Sequence, residues 1–149
     1  LSNLNEIVNA TEGLVSGLVF GRVDFTLSSN LSRAEIASDY VADSALQVSK
    51  VCKSSGLEFV LGGGISIDSI DLLKRLSDVR LDRFETRKCI LSVDSLFSDN
   101  LPSLLQDCVV AELLWLKSKS AMYREMSDED IPRIQMLEKR HLYDIKSCE

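Results

Sequence analysis

Three features of this 149-residue chain combine residue types and spacings that could do chemistry: a lone aspartate, a run of three glycines and a knot of charges. Asp24 lies near the end of the stretch GLVFGRVDF, residues 17–25, with apolar residues before it and the polar loop 26–30 after it. That apolar run predicts a strand, which would put Asp24 at its carboxyl end, where parallel α/β barrels assemble their sites. A carboxylate there is tolerable when a cation or an arginine pairs with it. Mg²⁺ suits such a place, because it is bound by one or two carboxylates together with water and substrate oxygens. Asp24 also reads as a structural acid, paired with Arg22 or capping a loop.

Gly62, Gly63 and Gly64 stand between an apolar run and a helix start at Ser66. Their backbone N–H groups, with Ser66, could cradle an anion or a substrate at a helix N-terminus. Alternatively, the glycines let a substrate, a metal or neighbouring backbone approach closely. In DRFETRK, residues 82–88, the alternation of a strand would set Arg83, Glu85 and Arg87 on one face. With Arg22 they are candidates for an ionic network in the mouth of a barrel.

These residues need elements to hold them. Ser32-Arg33-Ala34-Glu35 has the Ser-x-x-Glu form of a capping box and predicts a helix start. Ile36, Tyr40, Val41, Ala45, Val48 and Val51 follow near helical spacing, and Gly56 marks the end. A strand over 57–61, a helix over 67–76 and a strand within 80–91 complete a β-α-β-α-β order, which predicts parallel strands joined by right-handed crossovers. Past residue 92 the pattern is helical. One helix is expected over 101–126, and a second is expected to be capped by Ser127-Asp128-Glu129-Asp130, carrying Ile131, Ile134, Leu137, His141 and Ile145. This extension reads as a lid or subunit-contact arm, and His141 as a packed or interface histidine rather than a ligand.

Charge and composition narrow the classes. Seventeen basic against 23 acidic residues give a net charge of -6, which argues against nucleic-acid or anionic-membrane partners. No apolar run approaches the roughly 20 residues of a bilayer span, and the first residues do not read as a secretory signal. A cytoplasmic location is expected. Cys52, Cys89, Cys108 and Cys148 are scattered without a C-x-x-C pair, so they read as buried or incidental thiols rather than a zinc site or disulfide framework.

The stretches GLVFGRVDFTLSSNLSR, GLEFVLGGGIS and RLDRFETRK, in this order, resemble the HpcH/HpaI aldolase and citrate lyase family. The resemblance implies an α/β fold: residues 1–92 as the C-terminal half of a (β/α)₈ TIM barrel of the phosphoenolpyruvate/pyruvate type, and 93–149 as a helical C-terminal extension. The family's Gly-x-x-Asp-[Leu/Phe] segment falls on Gly21, Arg22, Val23, Asp24 and Phe25, which implies Asp24 as a ligand of Mg²⁺ or Mn²⁺. Its metal-binding glutamate and substrate-binding arginine would precede Leu1, so no catalytic residue is assigned within this chain. The implied reaction is metal-dependent carbon–carbon cleavage of a 2-oxo acid or acyl-CoA type substrate. The implied partners are that small molecule and either further copies of the chain, as a homo-oligomer, or the other half of the barrel. Arg22 stands where commoner members carry a small residue or proline, and Ser28-Ser29-Asn30 departs from their loop. A phosphate- or sugar-phosphate-binding barrel and a non-catalytic remnant or interaction protein are the alternatives.

Overall fold

The computed structural model describes residues 1–145, without the side chains of 141–145. The expectations placed on the His141 side chain and on Cys148 fall outside the described residues. The chain divides into two compact units, Leu1–Val110 and Ala111–Glu149.

The first unit is α/β. A short helix α1 (Leu4–Ala10) precedes β1 (Gly17–Gly21), which passes directly into helix α2 (Arg22–Ser28). A 3-10 turn (Arg33–Ala37) leads to α3 (Asp39–Ser54), β2 (Glu58–Gly62), a second 3-10 turn (Ile67–Ser69) and α4 (Ile70–Ser77). Strands β3 (Arg83–Glu85) and β4 (Ile90–Ser92) follow, then a third 3-10 turn (Val93–Phe97) and α5 (Leu101–Ile145). The four strands form one mixed sheet in the order β1-β2-β3-β4. The first three are parallel, and β4 is antiparallel to β3.

Strand alternation sorts the sheet into two faces. Phe20, Leu61 and Phe84 are register partners and all buried, Leu61 and Phe84 completely. Against this row pack Val41, Ala45, Val48 and Cys52, whose spacing along α3 puts them on one helical face, together with Leu73 and Leu76 of α4. Each large apolar side chain removed from water here contributes about 2 kcal/mol. The opposite face carries Gly17, Val19 and Gly21 of β1, then Glu58, Val60 and Gly62 of β2, then Arg83 and Glu85 of β3. Val19 on that face is 60% exposed.

Local signals set several boundaries. The Ser32–Glu35 capping box forms, with Ser32 N donating to Glu35 Oε2 at 2.8 Å, but it opens the 3-10 turn. The long helix starts two residues after that turn, where the Ser38 hydroxyl accepts from Val41 N. Gly56 adopts φ +70° just beyond α3, the left-handed conformation that glycine takes without steric cost.

Three expected elements differ. The strand over 17–25 stops at Gly21, because Arg22 turns inward to bond a distant loop and the chain coils into α2. The strand within 80–91 is only Arg83–Glu85. A turn in which Thr86 N donates to Cys89 O at 2.9 Å then sends the chain back as β4, so that edge of β3 is paired rather than open. The two helices expected after residue 101 are one helix, α5, with Pro132 inside it. Ser127, Asp128, Glu129 and Asp130 therefore lie within a helix instead of capping one. Leu101, Leu105 and Cys108 of α5 are buried, whereas Leu113, Leu116, Ile131, Ile134 and Leu137 are all more than 40% exposed.

Candidate functional site

The carboxyl ends of the three parallel strands carry the chemistry-bearing side chains. Gly21, Gly62 and Glu85 are register partners in the last row of the sheet, on the face away from α3 and α4. A Cβ on Gly62 would lie 2.8 Å from Glu85 Oε1, so the Glu85 side chain folds over the glycine. On the neighbouring strand, a Cβ on Gly21 would lie 2.8 Å from Asp24 Oδ2. Two adjacent glycines thus leave room for two carboxylates at one end of the sheet. Asp24 sits in the first turn of α2 rather than on a strand, and it is exposed. An acid in that turn is favoured by the positive end of the helix dipole.

Arg22 lies beneath this end and is only 3% exposed. Its Nε donates to the Gly63 carbonyl at 3.0 Å, and its Nη2 donates to the Gly64 carbonyl at 2.9 Å and to Ser69 Oγ at 3.0 Å. Burial pushes its pKa down from the ordinary value. All three acceptors are neutral, and Arg22 belongs to none of the ion pairs among the described residues. The Asp24–Arg22 pairing considered from the sequence is replaced by these bonds. Thr26 Oγ1 donates to the Arg22 carbonyl at 2.6 Å and ties α2 to its own first residue.

The glycine loop is therefore gripped by an arginine 41 and 42 residues before it. Gly63 and Gly64 have φ +87° and +63°, and a Cβ on Gly63 would lie 2.8 Å from Val23 N and 2.9 Å from Arg22 N. The loop thus presses its backbone against the start of α2, which is the close approach that glycine permits. Gly62 is buried and Gly64 exposed. Ser66 N donates to Ser69 Oγ at 3.2 Å, which engages one of the amides considered for an anion.

Two of the residues considered for a mouth network bond elsewhere. Arg83 pairs with Glu58 at 2.6 Å, toward the amino ends of the strands. Arg83 and Glu85 do share a face, as alternation predicts, but the strand ends at Glu85 and Arg87 falls in the turn beyond it. Arg22 turns to the glycine loop. Sequence reasoning missed Ser69, which bonds both Arg22 and Ser66. Ser69 carried a weak signal as the fourth residue of Ser66-x-x-Ser69, a capping-box spacing.

Among the described residues, no group of three or more His, Cys, Asp or Glu side chains is placed to hold a metal ion. Nor is any described helix long and apolar enough to cross a membrane. No family model, curated protein or solved structure matches the chain.

Proposed function

We propose that this chain forms part of a (β/α)₈ barrel that acts as a metal-dependent carbon–carbon lyase of the aldolase and citrate lyase type, on a 2-oxo acid or acyl-CoA substrate. The observation that carries the reading is the Gly21–Gly62–Glu85 row, with the Asp24 and Glu85 carboxylates folded over its two glycines at the carboxyl ends of parallel strands. Carboxylate oxygens are the donors that Mg²⁺ and Mn²⁺ prefer, and these cations take one or two such ligands and fill the rest of their shell with water and substrate oxygens. Asp24 would hold the cation, with Glu85 as the neighbouring acid. When bound, the cation supplies Lewis-acid stabilisation of an enolate. Asp24 contributes negative charge from an exposed helix turn, and Arg22 fixes the start of that helix to the glycine loop so that Asp24 keeps its position over Gly21. On this face Val60 of β2 is buried and Val19 of the edge strand β1 is exposed, which fits an edge that a further barrel strand would extend.

Two measurements on the full chain test this. Mn²⁺ titrated by calorimetry is expected to bind, and Asp24→Asn is expected to weaken binding at least about tenfold by removing an anionic oxygen ligand. With Mn²⁺ bound, the methyl protons of pyruvate are expected to exchange with D₂O, read by NMR as enolate formation. Unchanged Mn²⁺ affinity in Asp24→Asn overturns the metal site. Binding without exchange overturns the lyase and leaves a non-catalytic barrel protein.

A further inference from the structure

Beyond Val110, α5 carries one apolar stripe and two blocks of opposite charge. Leu113, Leu116, Tyr123, Ile131 and Ile134, with Ser120 and Ser127 between them, follow one another at spacings of three or four and so lie along one side of the helix. The five large side chains are all exposed. A helix left without tertiary packing is marginal in water, and an apolar stripe on it calls for a cover. Lys117, Lys119 and Arg124 are the charged residues of 113–124, and Glu125, Asp128, Glu129 and Asp130 those of 125–130, so a basic block abuts an acidic one. None of these seven takes part in an ion pair among the described residues. The Lys119 ammonium lies 5.0 Å from the Trp115 ring centroid and 5.2 Å from that of Tyr123, which holds its charge at the edge of the stripe.

We propose that α5 docks antiparallel on α5 of a second copy of this chain, around a two-fold axis beside the Tyr123–Arg124 peptide bond. The stripe is symmetric around that point, so the axis sets Leu113 opposite Ile134, Leu116 opposite Ile131 and Ser120 opposite Ser127 of the second copy. At 3.6 residues per turn, Lys117 and Asp128 fall on one flank of the stripe, and Lys119 and Asp130 on the other. Antiparallel pairing brings Lys117 toward Asp128 of the second copy and Lys119 toward its Asp130, and the symmetry repeats both pairs. Parallel, in-register pairing would instead set Lys117 against Lys119 and Asp128 against Asp130, like charge on like. Burial of the stripe supplies the affinity, and the charge blocks choose partner and direction. Arg124 meets its own copy across the axis, where a long side chain can extend to solvent. The proposal rests on the helix alone and does not depend on the lyase reading.

Sedimentation equilibrium of the full chain over a range of concentrations tests this. The wild-type chain is expected to form a dimer, and Leu116→Glu, which puts a charge on the stripe, is expected to leave a monomer. Two charge variants then read the direction. Lys117→Glu with Lys119→Glu, and separately Asp128→Lys with Asp130→Lys, each place like charges on both flanks and are expected to weaken the dimer about tenfold or more. An equal mixture of the two variants is expected to recover the wild-type association, because every flanking pair in the mixed antiparallel dimer is again opposite in sign. A monomer at every concentration, the result if another part of the chain or a different protein covers the stripe, would overturn the proposal. So would a dimer that survives Leu116→Glu, or charge variants whose mixture associates no better than either alone.

Discussion

Arg22 Nη2 donates to the carbonyl oxygen of Gly64 at 2.9 Å, joining the first residue of α2 to the loop that leaves β2. With the bonds to Gly63 and Ser69, this side chain holds two strand-end segments together from a nearly dry position. A buried polar group deprived of its partner costs about 1–3 kcal/mol. Arg22→Met is therefore expected to destabilise the fold by about 2–4 kcal/mol, since it strands more than one acceptor. Arg22→Lys should not restore it, because an ammonium lacks the planar fork that reaches both carbonyls. Urea unfolding followed by circular dichroism checks both variants. A loss below about 1 kcal/mol for Arg22→Met would show that water replaces the guanidinium freely.

Two adjacent glycines should respond oppositely to alanine. At Gly62 the new methyl meets only the Glu85 side chain, at 2.8 Å from Oε1 and 3.1 Å from Cγ, and the backbone has no left-handed strain. Gly62→Ala is expected to keep stability within about 1 kcal/mol, while pushing the Glu85 carboxylate off the row and weakening Mn²⁺ binding. Gly63→Ala places a methyl 2.8 Å from Val23 N at φ +87° and should cost about 1–3 kcal/mol. Chemical denaturation and calorimetry on the two variants give the comparison.

Glu35 supplies a pH dependence whose sign is fixed. Its carboxylate accepts from Ser32 N and then from the Ser32 hydroxyl, and these bonds hold its pKa below the ordinary glutamate value despite a small opposing effect of desolvation. A carboxylate with a depressed folded pKa contributes stability above its unfolded pKa and loses it as pH falls through the folded value. The Arg33–Ala37 turn should therefore loosen in acid, below the normal range of glutamate titration. Carbon-detected NMR should show Glu35 titrating at lower pH than a free glutamate, and Glu35→Gln should remove the acid-linked change in this turn.

Pro132 lies inside α5, where its ring removes one backbone donor and crowds the carbonyl four residues back, that of Asp128. Pro132→Ala is expected to stabilise this stretch of helix by about 3 kcal/mol. Amide exchange of the residues around 128–132 should slow accordingly. Unchanged exchange would mean that the helix opens there for another reason.

What the sequence determined by itself was short in range. The Ser32–Glu35 box, the Ser66 start, the glycine stop at Gly56, and the apolar faces of β2 and α3 all follow from residues within a turn or two of one another, and the alternation that sets Arg83 and Glu85 on one face follows from the pleat. The carboxylate Asp24 and the glycine run were legible as candidates for the same reason. Only the tertiary structure decided where β1 ends, because Gly21-Arg22 reads as strand until the guanidinium finds carbonyls 41 and 42 residues away. The fold likewise decided that Glu85 folds over Gly62 and that β3 turns back into β4. It also decided that α5 runs through Ser127 and Pro132, since capping residues favour a helix end without forcing one. Local preferences are worth about 1 kcal/mol each. Burying one arginine among acceptors from a distant loop shifts the balance by more than that, and no window of neighbouring residues contains it.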